Sequence, residues 1–364
     1  MPYYQRARTI RTKNMLHKKY SFQFFLILLF FTSKIYSQTT IVNQIDSLMN
    51  WSHNNGMFNG NILVSKNNKI IYNSSFGFAD ANKNTKLTSD FQFNIGSITK
   101  EFSAVALMQL IEKGKLKLND KISKIFPELP EWSNKVTIKD LLQYTSGIPD
   151  VNWKKIKSNK DIFEDLKTID TLNFNPGTQY DYNNNNFFLR LFIIEKISGM
   201  SYKNYVQENI FKPLKMNSAE ITPIQENNNI AKGFNNKLVE DKPDFLVGGA
   251  FLTTTDLLKF ADNLHSNKII SKNSLFELGQ HFNQEDTQSA LGETKFKNKK
   301  LLEHSHDGRG GNYEALMMTD IKNGFSVILL SNNYQGKIFE ISEAITSILK
   351  NQKYTLPQKE KKLK

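Results

Sequence analysis

Ser97 and Lys100 stand three residues apart at the start of an almost wholly apolar segment, "NIGSITKEFSAVALMQLIEKGKL" over residues 94–116. On a helix, positions i and i+3 share a face, so the amine can reach the hydroxyl. A lysine that enters a protein interior must be paired or shed its proton, because desolvation penalises the charged form. A neutral amine beside a serine is a base that can turn a poor nucleophile into a competent one. Ser97 in the first helical turn also leaves its own N–H without an intrahelical partner, ready to meet an oxyanion. The alternative is a capping serine beside a lysine whose head reaches out to water. Spacing alone does not decide, since Ser347 and Lys350 repeat it in an amphipathic segment where the lysine can sit in solvent.

Other routes to serine or metal chemistry are poorly represented. No serine lies in Gly-x-Ser-x-Gly, which removes the nucleophile elbow, and there is no His-Glu-x-x-His. His304 and His306 could put two imidazoles on one strand face, but no third ligand cluster accompanies them, and no metal or organic cofactor is expected. With no cysteine in the chain, disulfides, thiolate catalysis and cysteine zinc sites are excluded.

Strands and helices must position these residues. "GNILVSKNNKIIYNSSFG" (60–77) reads as a hairpin about Lys66–Lys69, and 310–333 as another across Lys322-Asn323-Gly324. Residues 98–113 form a buried helix, "NFFLRLFIIEKISG" an amphipathic one stopped by Gly199, and "KIFEISEAITSILKN" a closing helix. The order predicts a two-lobed α/β fold. An antiparallel sheet flanked by N- and C-terminal helices comes from about 39–97 and 240–352, and a mostly helical lobe, about 98–239, is inserted between. The whole domain is expected over 38–352.

The formal charge is +13, but the first 38 residues carry +7 and residues 353–364 carry +4, leaving +2 for the body. No basic face remains to follow a phosphate backbone, so no nucleic-acid partner is expected. Residues 1–37 read as a secretory signal peptide: six basic residues and no acid over 1–21, the apolar run Phe22–Phe31, and Ser37 as a small cleavage residue. Met15 would open a more ordinary signal. The apolar run is too short to span a bilayer, so a periplasmic or extracellular protein without a stable membrane span is expected, with an uncleaved anchor as the alternative. The Lys-rich tail, 353–364, is expected to be disordered.

Several blocks in order resemble the serine β-lactamase and penicillin-binding-protein superfamily in its class C-like branch: "FGFAD" (76–80), the Ser97 block, "LLQYTSGIP" (141–149), "NPGTQYDYNNNNFFL" (175–189), "IFKPLKM" (210–216), "GGAFLTTTDLLKFADNL" (248–264) and "HDGRGGNY" (306–313). The resemblance spans roughly residues 40–335 and implies a β-lactamase/transpeptidase-like fold. It implies that Ser97 is the nucleophile and Lys100 its amine partner. The family's Tyr-x-Asn falls on Tyr182-Asn183-Asn184; Tyr202-x-Asn204 has the same spacing but lacks the preceding Pro-Gly turn. Tyr182, as phenolate or with a shared proton, would relay protons, and Asn184 would hold Lys100 and the substrate's amide. The usual Lys-Thr-Gly is replaced by His306-Asp307-Gly308, a weaker and pH-dependent cation. Gly308 would leave room for substrate along the strand, and the Arg309 N–H would be the second oxyanion donor. Tyr144, where the family often has histidine, is expected to be structural. The implied activity is an exported serine hydrolase that cleaves an ester or amide, small or peptidoglycan-derived, through an acyl-enzyme on Ser97. β-Lactamase, D,D-carboxypeptidase and a slowly deacylating penicillin-binding sensor or wall-binding protein are the alternatives. The oligomeric state is left open.

Overall fold

Strand-forming runs at the two ends of the chain pair with each other, and everything between them hangs from that sheet. The computed structural model describes residues 39–358 except 224–228, 243–247 and 284–286; the signal segment and residues 359–364 of the tail lie outside the described residues. A helix over 39–54 (α1) precedes β1 (Gly60–Lys66) and β2 (Lys69–Phe76). The short β3 (Phe93–Asn94) runs through a 3₁₀ turn, Gly96–Ile98, into α2 (Thr99–Glu112). Helices α3 (Ile122–Ile125), α4 (Ile138–Leu142), α5 (Asn159–Leu166), α6 (Asn184–Ser198) and α7 (Tyr202–Val206) follow. Next come β4 (Glu220–Ile221), β5 (Ala250–Leu252), α8 (Thr254–His265) and α9 (Lys272–Leu278). The chain closes with β6 (Glu293–Lys297), β7 (Lys300–Gly310), β8 (Tyr313–Asp320), β9 (Phe325–Ser331) and α10 (Ile338–Leu349).

The main sheet is antiparallel, in the order β2-β1-β9-β8-β7-β6, and a small sheet runs β3-β5-β4. The first hairpin closes where expected: Lys66 pairs with Lys69, and Asn67 and Asn68 both take positive φ, the conformation a two-residue primed turn requires. Side chains alternate across β9. Phe325, Val327 and Leu329 face α1 and α10, packing with Ile45, Leu48, Ile341 and Ile345. Ile328 and Leu330 face the other way, into the core that holds α2 and α8.

Helix α2 is buried on every side from Thr99 to Leu110, as its composition predicts, and Phe102 meets Phe211 and Phe260 edge-on. Helix α6 departs from the amphipathic reading. Asn185 to Leu191, Arg190 included, are all buried, because the helix packs against α2 and α4. Only its last turns meet solvent, before Gly199 ends it in the left-handed conformation. The basic tail also needs correcting over its described part. Residues 353–358 are not free: Tyr354 packs against the outer core and the Gln358 N–H donates to Glu340, because the tail still carries apolar surface to bury. Among the described residues no helix is long and apolar enough to cross a membrane.

Candidate active site

The serine sits on a turn tied down from three sides. Asn94 Oδ1 accepts the Gly96 N–H at 2.8 Å, the Ile95 N–H donates to Ala250 O, and Thr99 Oγ1 accepts the Ala250 N–H. Gly96 takes φ +52°, which a glycine adopts without steric strain. From this turn Ser97 Oγ accepts two hydrogen bonds: from Lys100 Nζ at 3.1 Å and from the Tyr182 hydroxyl at 2.9 Å. Tyr182 arrives on the loop before α6, which Asn183 caps by accepting the Asn186 N–H.

Lys100 is 7 % exposed. Burial brings its pKa down from 10.5 to about 8; Arg190 adds to the fall, while Tyr144 and Asp150 oppose it. The amine is therefore within reach of its neutral form at physiological pH. Of the two states expected for Tyr182, the phenolate is the disfavoured one. Burial pushes its hydroxyl above the ordinary 10, which outweighs the hydrogen bond to Ser97 and the charge of Arg190. The resting group is a phenol that donates to the serine, not a phenolate.

Strand β7 lies directly against the serine turn. A Cβ on Gly308 would stand 1.9 Å from Ile95 O and 2.8 Å from Ser97 N, and one on Gly96 would stand 2.3 Å from Arg309 N. The space at Gly308 is thus taken by the turn itself, and glycine there is what lets the Ser97 and Arg309 backbone come together. The Arg309 side chain is exposed, with its guanidinium 3.7 Å from the centroid of the Tyr334 ring.

His306 shares its strand face with Gly308 but does not stand free as a cation in a cleft. It is 4 % exposed, and its Nδ1 lies 2.8 Å from Glu101 Oε1. An ionised carboxylate only accepts, so Nδ1 carries the hydrogen, and Nε2 is buried with no partner among the described residues. The same carboxylate oxygen lies 3.3 Å from His304 Nε2, which also donates to Leu291 O, while His304 Nδ1 is 2.8 Å from His265 Nε2. Burial would raise the Glu101 pKa, but the charge of His304 and the hydrogen bonds from both rings bring it from 4.5 to about 2. Burial opposes the His304 charge, yet Glu101 carries its pKa above the ordinary 6.5; burial takes His265 down to about 3. Among the described residues no group of three or more His, Asp or Glu side chains could hold a metal ion.

Of the residues singled out from sequence, Ser97, Lys100 and Tyr182 are in mutual contact, and Gly308 and Arg309 abut the serine turn. Asn184 opens α6 with its N–H on Asp150 Oδ1, and its side chain makes no hydrogen bond to Lys100 here. Tyr202 is buried away in α7, and Lys350 pairs with Asp320 at 2.9 Å. Glu101, Arg190 and the contact role of Tyr144 escaped sequence reasoning. Tyr144 is no remote support: its ring centroid is 4.7 Å from that of Tyr182, and its hydroxyl is 3.3 Å from Arg190 Nη2. The signal was present for Arg190, a lone charge inside an apolar run ("FFLRLFII").

An antiparallel sheet covered by terminal helices, with a buried Ser-x-x-Lys helix start and a tyrosine on the serine, defines the β-lactamase/transpeptidase-like class. The chain matches the Beta-lactamase family over residues 45–344 and belongs to it. It is 28% identical over 350 residues to a penicillin-binding protein of Bacillus subtilis (strain 168), across 83% of this chain and 74% of that protein. The D-amino acid amidase of Ochrobactrum anthropi has the same fold, with TM-score 0.72 and 22% identity over 86% of this chain and 99% of that one. A class C β-lactamase does too, with TM-score 0.73 and 19% identity over 86% and 96%.

Proposed function

We propose that this protein is an exported serine hydrolase that cleaves an ester or amide by acyl transfer through Ser97. Ser97 Oγ receiving both Lys100 Nζ and the Tyr182 hydroxyl is the observation that carries this reading. Lys100 in its neutral form takes the Ser97 proton as Oγ attacks the carbonyl. The oxyanion meets the N–H groups of Ser97 and Arg309. Tyr182, already a donor toward Ser97, passes a proton to the leaving group, and water then releases the acyl group by the reverse transfers. Asn184 borders the substrate's amide, His306 on strand β7 is held by Glu101, and Gly308 keeps that strand against the turn. Among acyl donors, the kinship with a penicillin-binding protein and the fold shared with a D-amino acid amidase favour β-lactams and D-amino-acid amides.

An intact-mass time course of residues 38–364 with benzylpenicillin tests the reading beside Ser97→Ala. A penicilloyl adduct on the parent and none on the variant is expected; a persistent adduct identifies a penicillin-binding peptidase or sensor, a transient one a β-lactamase. Equal labelling or equal ester turnover in Ser97→Ala would sink the mechanism. Gly308→Ala supplies a second check. Its Cβ would meet backbone atoms that no rotamer change can move, so β7 must shift off the serine turn. A misplacement of about 1 Å costs on the order of 10²-fold in rate, and stopped-flow acylation of this variant at the parental rate would show that β7 is not part of the oxyanion site.

A further inference from the structure

Among the described residues Arg190 is the largest fully buried side chain. A guanidinium cannot shed its proton, so a buried arginine ordinarily comes with a carboxylate. Among the described residues Arg190 has none. Its Nη2 donates to the Tyr144 hydroxyl at 3.3 Å, while Nε and Nη1 are buried without hydrogen-bond partners. Its remaining support is aromatic: the guanidinium carbon lies 5.5 Å from the Tyr144 ring centroid and 5.8 Å from that of Phe187.

Those rings are shared with the site. Lys100 Nζ lies 5.4 Å from the Phe187 centroid and 5.1 Å from the Tyr182 centroid, and Tyr182 in turn packs on Tyr144. Three aromatic rings thus hold two cationic side chains in a water-poor region. Ring faces attract both cations, but the cations repel each other, and only one of them can relieve the repulsion by losing a proton.

We propose that Arg190 is a positioning residue that acts through Lys100: a permanent positive charge, seated on Tyr144 and Phe187, that keeps the Lys100 amine free to take the Ser97 proton. The inference rests on the acyl-transfer reading of Ser97. It explains why the fold carries a buried charge without a counter-ion, since that charge is set where it does electrostatic service. It also gives direction to the closing step of acylation. Once Lys100 has accepted the serine proton it stands as an ammonium facing Arg190, and passing the proton on toward the leaving group relieves that pairing. The same charge favours negative character at Tyr182. The other groups that face Lys100 are Asp150 and Tyr144, which pull toward the ammonium, and Tyr182 and Ser97. Glu101, next in the chain, is committed to His304 and His306.

Titrating the Lys100 side chain by NMR, with its resonance assigned from Lys100→Met, reads this coupling without requiring turnover. In Arg190→Met the Lys100 titration is expected to move up by roughly one pH unit, and the alkaline-going limb of the acylation rate with benzylpenicillin should move with it. Arg190→Gln keeps a donor for Tyr144 and lacks only the charge, so it gives the same readout should the Met variant fail to fold. Tyr144→Phe keeps the charge and should leave the titration low. An unchanged Lys100 titration in a folded, charge-free variant overturns the proposal. A shifted titration in a parent that is acylated by neither benzylpenicillin, simple esters nor D-amino-acid amides would instead sustain the electrostatic coupling and dispose of the acyl-transfer reading.

Discussion

Lys100→Met is expected to unfold at a higher temperature than the parent protein while acylation falls by roughly 10²–10⁴-fold, the range that general acid–base groups contribute. The rise follows from the burial of the amine. Its folded pKa, about 8, lies below the ordinary 10.5, so the unfolded chain binds the proton more tightly. Below pH 8 both states are charged and the folded state carries the whole penalty, about 3 kcal/mol at 1.36 kcal/mol per pH unit. Between pH 8 and 10.5 the folded protein discharges first and recovers that stability. Methionine matches the aliphatic stem and needs no solvation, so it leaves neither cavity nor buried charge. Thermal unfolding at pH 7 and pH 9.5 measures the effect: the gap between variant and parent should narrow at the higher pH. A variant no more stable than the parent at pH 7 would mean that the lysine is not held at a penalty, and with it would go the reason for regarding it as a base.

Glu101→Ala is expected to do the opposite, lowering stability by about 3–5 kcal/mol, the cost of removing one partner from a buried ion pair. Two imidazoles depend on this one carboxylate oxygen. The pH dependence has a defined sign. Glu101 has a folded pKa of about 2 against an ordinary 4.5, so its contribution is complete above pH 4.5 and is lost as the pH falls toward 2. His304, raised above 6.5, contributes fully below that value and loses its contribution as the pH climbs through its folded pKa. His265, held near 3 against an ordinary 6.5, adds a loss of stability on acidification from 6.5 downward. Urea unfolding of Glu101→Gln between pH 5 and 2 isolates the carboxylate: the parent should lose stability steeply over this range and the variant should follow a flatter line. Parallel curves would show that Glu101 is not ionised against the rings.

The sheet and its hairpins were legible because local rules govern them. Two asparagines between alternating apolar runs make a primed turn, and an apolar helix with a serine at its mouth has few places to go. Ser97, Lys100 and Tyr182 were legible through ordered motif blocks, and their contact followed. His306 was placed on the right strand, but its environment was not, since nothing local says that Glu101, about two hundred positions earlier, turns the ring inward. The amphipathic reading of α6 failed for a related reason. A single arginine in an apolar helix says nothing of its surroundings until the neighbouring helices are known to cover it. Non-local electrostatics is the part that patterns of apolar spacing do not carry.

The pairing of β1 with β9, Gly60 opposite Ser331, bears on how the protein comes to be active at all. Contacts between segments so far apart in sequence form late and slowly, because the loop between them must be closed before the pairing is rewarded. The Ser97 turn is made in the first third of the chain, yet the strand that completes it is held in register by β8 and β9 from the last. A nascent or partly unfolded chain therefore carries Ser97 without the Arg309 N–H beside it. On the acyl-transfer reading proposed above, hydrolytic competence waits until the two ends of the polypeptide find each other.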